Sequence, residues 1–156
     1  MTNDFIYTTY IKSTPEKLWN AIINPEFTRQ YWGGNANVSD WKPGSKWEHV
    51  AGDGQNSVRV IGKVVESVPP QRLVLTWADP AQEADVSRVT FQIESVGDEV
   101  RLDVIHGEFN PGSEMIGKVS GGWPRVLSSL KSFLETGKAL KAANCGSAKH
   151  AEGVAA

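Results

Sequence analysis

Histidine and cysteine are the residues of this sequence best suited to chemistry, and they are few: His49, His106, His150 and Cys145. Zinc sites use clustered His, Cys and carboxylate ligands. No two of these four residues stand at the three- or four-residue spacing that brings ligands together, although His106 and Glu108 are close. The sequence therefore predicts no metal site and no cofactor. A catalytic thiol needs a positioned base and a lowered pKa. Cys145 sits in Ala142-Ala143-Asn144-Cys145-Gly146 and reads as a fortuitous thiol. The glycine pairs at Gly33-Gly34, Gly52-Asp53-Gly54 and Gly121-Gly122 lack the lysine of a phosphate loop and read as turns, caps or a kink. No nucleophile, base and orienting group can be assembled, so no catalytic residue is assigned.

His106 remains the residue of greatest interest. By alternation it shares a face with Val100, Leu102 and Val104, and it ends its strand. The plainer reading is a histidine satisfied at a strand end. The functional one is a polar contact for a ligand, or a general acid or base, which its ordinary pKa would suit. Trp47, Trp77 and Trp123 fall on or beside the same inner faces, where a packed core and a cavity wall would use the same rings. Glu48 and Arg88 lie at strand positions whose facing depends on register, since a one-residue slip would exchange their sides, and solvation is the first expectation for both.

These side chains depend on the elements that hold them. Residues 5–11 alternate and are rich in aromatic and β-branched types, which predicts a strand. Thr14-Pro15 is a helix start, with Leu18, Trp19, Ile22 and Ile23 at helical spacing. Asn24-Pro25 ends that helix, and a second short one stops at Gly33-Gly34. Alternation then predicts strands over 45–50, 58–68, 72–77, 87–96 and 99–106, with turns at Gly52-Asp53-Gly54, Pro69-Pro70 and Gly97-Asp98. Met115, Val119, Trp123, Val126, Leu127, Leu130, Phe133 and Leu134 form one apolar stripe on a long helix, capped by Gly137. Lys118, Arg125 and Lys131 lie off it. Pro124 predicts a kink or a late start.

The order of elements predicts an α+β fold: a curved antiparallel sheet of about six strands wrapped around a long C-terminal helix, with two short helices after the first strand. Residues 1–140 form the domain, and 141–156, small and without apolar periodicity, form a disordered tail. A curled sheet against one helix leaves a gap where its mouth is wider than the helix. The expected lining is Val60, Gly62, Leu75, Trp77, Phe91, Val104 and His106 from the sheet, facing Met115, Val119 and Trp123 from the helix. With Gly121 and Gly122 on the helix and Gly62 opposite, free apolar space is expected between them.

The 156 residues carry a net charge of -2, with 40% hydrophobic and 22% charged residues. This is ordinary globular usage. The weakly acidic balance and the absence of a Lys/Arg run argue against a nucleic-acid partner. A single cysteine fits a reducing compartment. The first ten residues lack the pattern of a signal peptide, and no apolar stretch is long enough to span a bilayer, so a cytoplasmic location is expected.

Four segments in this order resemble a known family: Ser13-Thr14-Pro15-Glu16-Lys17-Leu18-Trp19-Asn20-Ala21 with Asn24-Pro25 and Tyr31-Trp32; Trp41-Lys42-Pro43-Gly44-Ser45-Lys46-Trp47; Gly62 through Trp77 around Val68-Pro69-Pro70; and Gly122-Trp123 leading into Leu127, Leu130 and Leu134. The chain resembles the START-like (SRPBCC, helix-grip, Bet v 1-like) superfamily. It is most similar to the group named after the C-terminal domain of the activator of heat-shock-protein-90 ATPase. The resemblance covers roughly residues 5–137. It implies a cavity between sheet and helix, and members that bind lipids, aromatics or polyketides, serve as co-chaperones in the stress response, or act as cyclases and related enzymes. Fold does not choose among these. The function expected first is binding of an apolar or aromatic small molecule. A protein-interaction module with a chaperone or other protein partner, and a cyclase- or hydrolase-type enzyme using His106 and a carboxylate, are the alternatives.

Overall fold

The computed structural model describes residues 3–141. The expected tail, apart from Lys141, lies outside them. Strand β1 is Phe5–Ile11, followed by helices α1 (Pro15–Ile23) and α2 (Pro25–Tyr31). The caps act as the sequence predicts. Thr14 Oγ1 accepts from the Lys17 amide at 3.2 Å, with Pro15 at the first helical position. Asn24 serves both helices. Its amide donates to the Asn20 carbonyl at the end of α1, and its Oδ1 accepts from the Glu26 amide at the start of α2.

Six further strands follow: β2 (Ala36–Ser39), β3 (Lys46–Val50), β4 (Val58–Val68), β5 (Arg72–Trp77), β6 (Ser87–Val96) and β7 (Glu99–Gly107). With β1 they make one antiparallel sheet in the order β1-β7-β6-β5-β4-β3-β2. The expectation of about six strands misses β2, a four-residue segment whose Ala-Asn-Val-Ser carries no apolar alternation. Register breaks at His49/Val50 and Val64/Glu66 bend the sheet. On the inner face, Leu75, Val89 and His106 lie in one row across β5, β6 and β7, and Leu73, Phe91 and Val104 in the next.

Helix α3 runs Met115–Thr136 and packs its apolar stripe on that face, with Val119, Trp123, Val126, Leu127 and Leu130 buried. It ends at Gly137, whose φ of 85° lets its amide reach the Phe133 carbonyl. The helix does not start late. It begins at Met115 and carries Pro124 in its interior. Its start is tied down by Ser113, whose Oγ accepts from the Met115 amide at 3.0 Å and bonds Asp85 Oδ2 at 2.7 Å. Near its end, the Lys131 ammonium donates to the Tyr10 carbonyl at 2.6 Å, and Glu135 accepts from the Lys12 amide at 2.8 Å. Lys131 lies off the apolar stripe as expected, yet it is engaged with β1. At the opposite edge, Thr28 of α2 accepts from the Asn37 amide of β2 at 3.1 Å. Helix side chains thus occupy backbone groups on both edge strands, which blunts them against pairing with other chains. Among the described residues no helix is long and apolar enough to cross a membrane.

Candidate functional site

Aromatic rings fill the interior between sheet and α3. Trp123 lies 5.6 Å from Trp32, 5.5 Å from Trp77 and 5.8 Å from Phe91, centroid to centroid, and Trp47 lies 5.5 Å from Trp77. These are ordinary separations for packed aromatic pairs. Gly121 is turned to solvent, with no atom near the place a Cβ would take, and Gly122 alone of the pair is buried. Gly62 is needed for close approach. A Cβ there would collide with the Thr76 carbonyl oxygen and with Nε1 of Trp47, which donates to that same carbonyl at 2.7 Å. The free space expected around Gly62, Gly121 and Gly122 is therefore occupied at Gly62 by the Trp47 indole, and Gly121 faces the other way.

His106 is fully buried in a directional chain of hydrogen bonds. The Trp123 indole N–H donates to His106 Nδ1 at 3.0 Å, so the imidazole proton sits on Nε2. Nε2–H donates to Ser87 Oγ at 2.8 Å, and the Ser87 hydroxyl donates to the Trp77 carbonyl at 3.3 Å. One ring thus links α3 to β7, β6 and β5. Burial pushes its pKa down to about 3, so it is neutral at physiological pH. With Nδ1 already accepting and Nε2 already donating, the imidazole has no lone pair for the Ser87 proton. The pair is a structural brace rather than a nucleophile with its base.

His49 is held in the opposite tautomer. Its Nδ1–H donates to Asn37 Oδ1 at 2.7 Å, and its Nε2 accepts from Asn35 Nδ2 at 3.2 Å. Burial, assisted by the Arg59 charge, pushes its pKa down to about 3. Its ring packs 4.8 Å from that of Trp32 and, unlike His106, also borders open space.

That space is a cleft of about 320 Å³ at the mouth of the grip. Val58, Arg59 and Val60 of β4 and Trp77 of β5 form one side, with Asn35 and His49 beside them. Met115 and Lys118 of the first turn of α3, and the segment Asp79-Pro80-Ala81, complete it. Two features hold that segment. Ala78 pairs with Ile61 through two 2.9 Å backbone bonds, and Asp79 Oδ1 accepts from the Ala81 amide at 2.8 Å to start a short 3₁₀ turn, Pro80–Gln82. A more polar groove of about 480 Å³ adjoins the cleft and shares Asp79, Met115 and Lys118 with it.

Of the ten residues predicted for the site, Val60, Trp77 and Met115 line the cleft. Leu75, Phe91, Val104, Val119 and Trp123 are in the packed core, His106 is in the buried brace, and Gly62 lies under Trp47. Alternation puts Val58 on the inner face with Val60 but outside the ten, and sequence reasoning missed Asn35, His49, Arg59, Asp79, Pro80, Ala81 and Lys118. His49 carried a usable signal, since it shares its strand face by alternation with Trp47. The others come from loops and a helix flank, where alternation gives no facing.

Residues 12–135 match the family described as "Activator of Hsp90 ATPase homolog 1-like protein". No curated protein matches the sequence. Among solved structures, an Aha1 dimer from Colwellia psychrerythraea is similar at 22% identity and a TM-score of 0.72, over 87% of this chain and 98% of that one. An HSP90 activator from Plasmodium falciparum is similar at 22% identity and a TM-score of 0.71, over 84% and 95%. A Mesorhizobium loti protein is similar at 24% identity and a TM-score of 0.72, over 85% and 96%. At such identities the structures establish a shared fold, and the family match spans most of the sequence. A curved seven-stranded antiparallel sheet gripping one long helix, together with that match, places the chain in the family of activator of Hsp90 ATPase homolog 1-like proteins, within the helix-grip superfamily.

Proposed function

We propose that this protein binds a small apolar or aromatic molecule in the cleft at the mouth of the grip. The observation that carries this reading is the composition of a 320 Å³ space: Val58, Val60, Trp77 and Met115 supply apolar wall, and a few polar groups converge at its rim. The volume lies at the small end of the range for small-molecule sites. Burying a ligand there gains about 25 cal/mol per Å² of apolar area. Titration with the neutral probe N-phenyl-1-naphthylamine tests it, with dissociation constants expected in the micromolar range and Trp77 emission responding. Val58 is 37% exposed, so Val58→Trp can fill the cleft without disturbing the core. That variant should lose the probe, and undiminished binding by it would sink the proposal. Gly62→Leu is unsuitable as a blocking variant, because its side chain would strike Thr76 and Trp47.

A second reading is favoured by the family itself and by the Plasmodium falciparum relative: a co-chaperone-type module that docks a protein partner. The ATPase rate of Hsp90 with and without this chain separates the two. Stimulation that survives Val58→Trp would favour docking on a surface other than the cleft.

A further inference from the structure

The rim of the cleft carries three ionisable side chains of clear charge, Arg59, Lys118 and Asp79. Their commitments differ. Asp79 Oδ1 is taken by the Ala81 amide. The six ion pairs among the described residues involve Lys12, Arg29, Arg72, Arg88, Arg101 and Lys131, and neither Arg59 nor Lys118 takes part in one. Two cations from different elements, β4 and α3, therefore border one apolar cleft without a carboxylate partner. Lys118 is half-buried and, like Met115, borders both the cleft and the polar groove. In that groove, Asp85 is bonded to Ser113 and Asn110. Arg59 acts on the opposite side, where its charge reaches His49. His49, with both nitrogens engaged, is a neutral floor.

Resting on the cleft reading above, we infer that the preferred ligand is an amphiphile with an anionic head, an aliphatic or aromatic carboxylate. Its apolar part lies on Val60, Trp77 and Met115, and its carboxylate is set between the Arg59 guanidinium and the Lys118 ammonium. Guanidinium matches a carboxylate with two parallel N–H donors, and ammonium adds a point charge on a flexible stem. At a partly solvated rim, two such contacts are together worth roughly tenfold in affinity.

Displacement of bound N-phenyl-1-naphthylamine by decanoate, 1-decanol and decylammonium tests this. Decanoate should displace the probe at about one tenth of the decanol concentration, and decylammonium should be the weakest of the three. Arg59→Met and Lys118→Met, which keep apolar stems, should each shrink the advantage of decanoate over decanol measured on the same variant, and the double variant should abolish it. Equal potency of decanoate and decanol in the unaltered protein overturns the inference and leaves the cleft reading standing. So does an advantage for decanoate that persists in the double variant. Failure of the unaltered protein to bind the probe at all overturns both.

Discussion

Trp123 and Trp32 are packed alike and bonded differently. Both are buried among aromatic rings, and each faces the other edge-on at 5.6 Å. The Trp123 N–H satisfies His106, whereas the Trp32 N–H has no hydrogen-bond partner among the described residues. Replacing either by Phe removes a comparable volume from the same core. Only Trp123→Phe strands a buried acceptor, His106 Nδ1, and an unsatisfied buried group costs about 1 to 3 kcal/mol. Trp123→Phe should therefore destabilise the protein by about that much more than Trp32→Phe in urea unfolding at neutral pH. Equal losses would mean that the brace contributes nothing beyond packing. The sequence placed Trp123 and His106 on facing elements by their spacing. It could not show that they bond to each other, because that depends on ring orientation, which periodicity does not encode.

Local chemistry made most elements legible: Thr14-Pro15, Asn24-Pro25 and Gly137 mark ends through single hydrogen bonds and fixed dihedrals. Strands with clean alternation were equally clear, because one face is buried and the other solvated. β2 escaped because its pairing partner, β3, supplies the order that its own four residues lack. The cleft escaped for the same kind of reason. Its wall at Asp79-Pro80-Ala81 is placed by the Ile61–Ala78 bridge, a contact between segments distant in sequence. Pro124 misled in another way. A proline inside a helix removes the bond to the carbonyl four residues back, here Ser120, and costs about 3 kcal/mol relative to alanine. The helix runs through it because Val119, Trp123, Val126 and Leu127 anchor both sides in the core. Pro124→Ala restores that bond and should raise stability by about 1 to 3 kcal/mol, read from the urea midpoint. A loss instead would show that α3 needs the proline's shape to fit the sheet.

At the scale of the whole molecule, the two buried histidines bind stability to pH. Each titrates near 6.5 when unfolded, and burial lowers each to about 3 in the folded state. Above about pH 7 both states are neutral at these positions and stability is insensitive to pH. As pH falls below 6.5, the unfolded chain takes up protons that the folded one does not, so stability declines down to about pH 3. The slope approaches about 1.4 kcal/mol per pH unit for each histidine. Urea unfolding at pH 7.5, 6.0 and 4.5 should show this decline, and His49→Gln with His106→Gln should flatten it. An unchanged midpoint at pH 4.5 would contradict it. The same fold joins this rigid, braced interior to an open cleft at one end, and the central claim is that ligands enter there. Amide and indole chemical shifts during a decanoate titration test it most directly. Binding there predicts changes confined to Asn35, His49, Val58, Arg59, Val60, Asp79, Ala81, Met115, Lys118 and the Trp77 indole. Changes centred instead on β1 and the end of α3, or no saturable change anywhere, would contradict it.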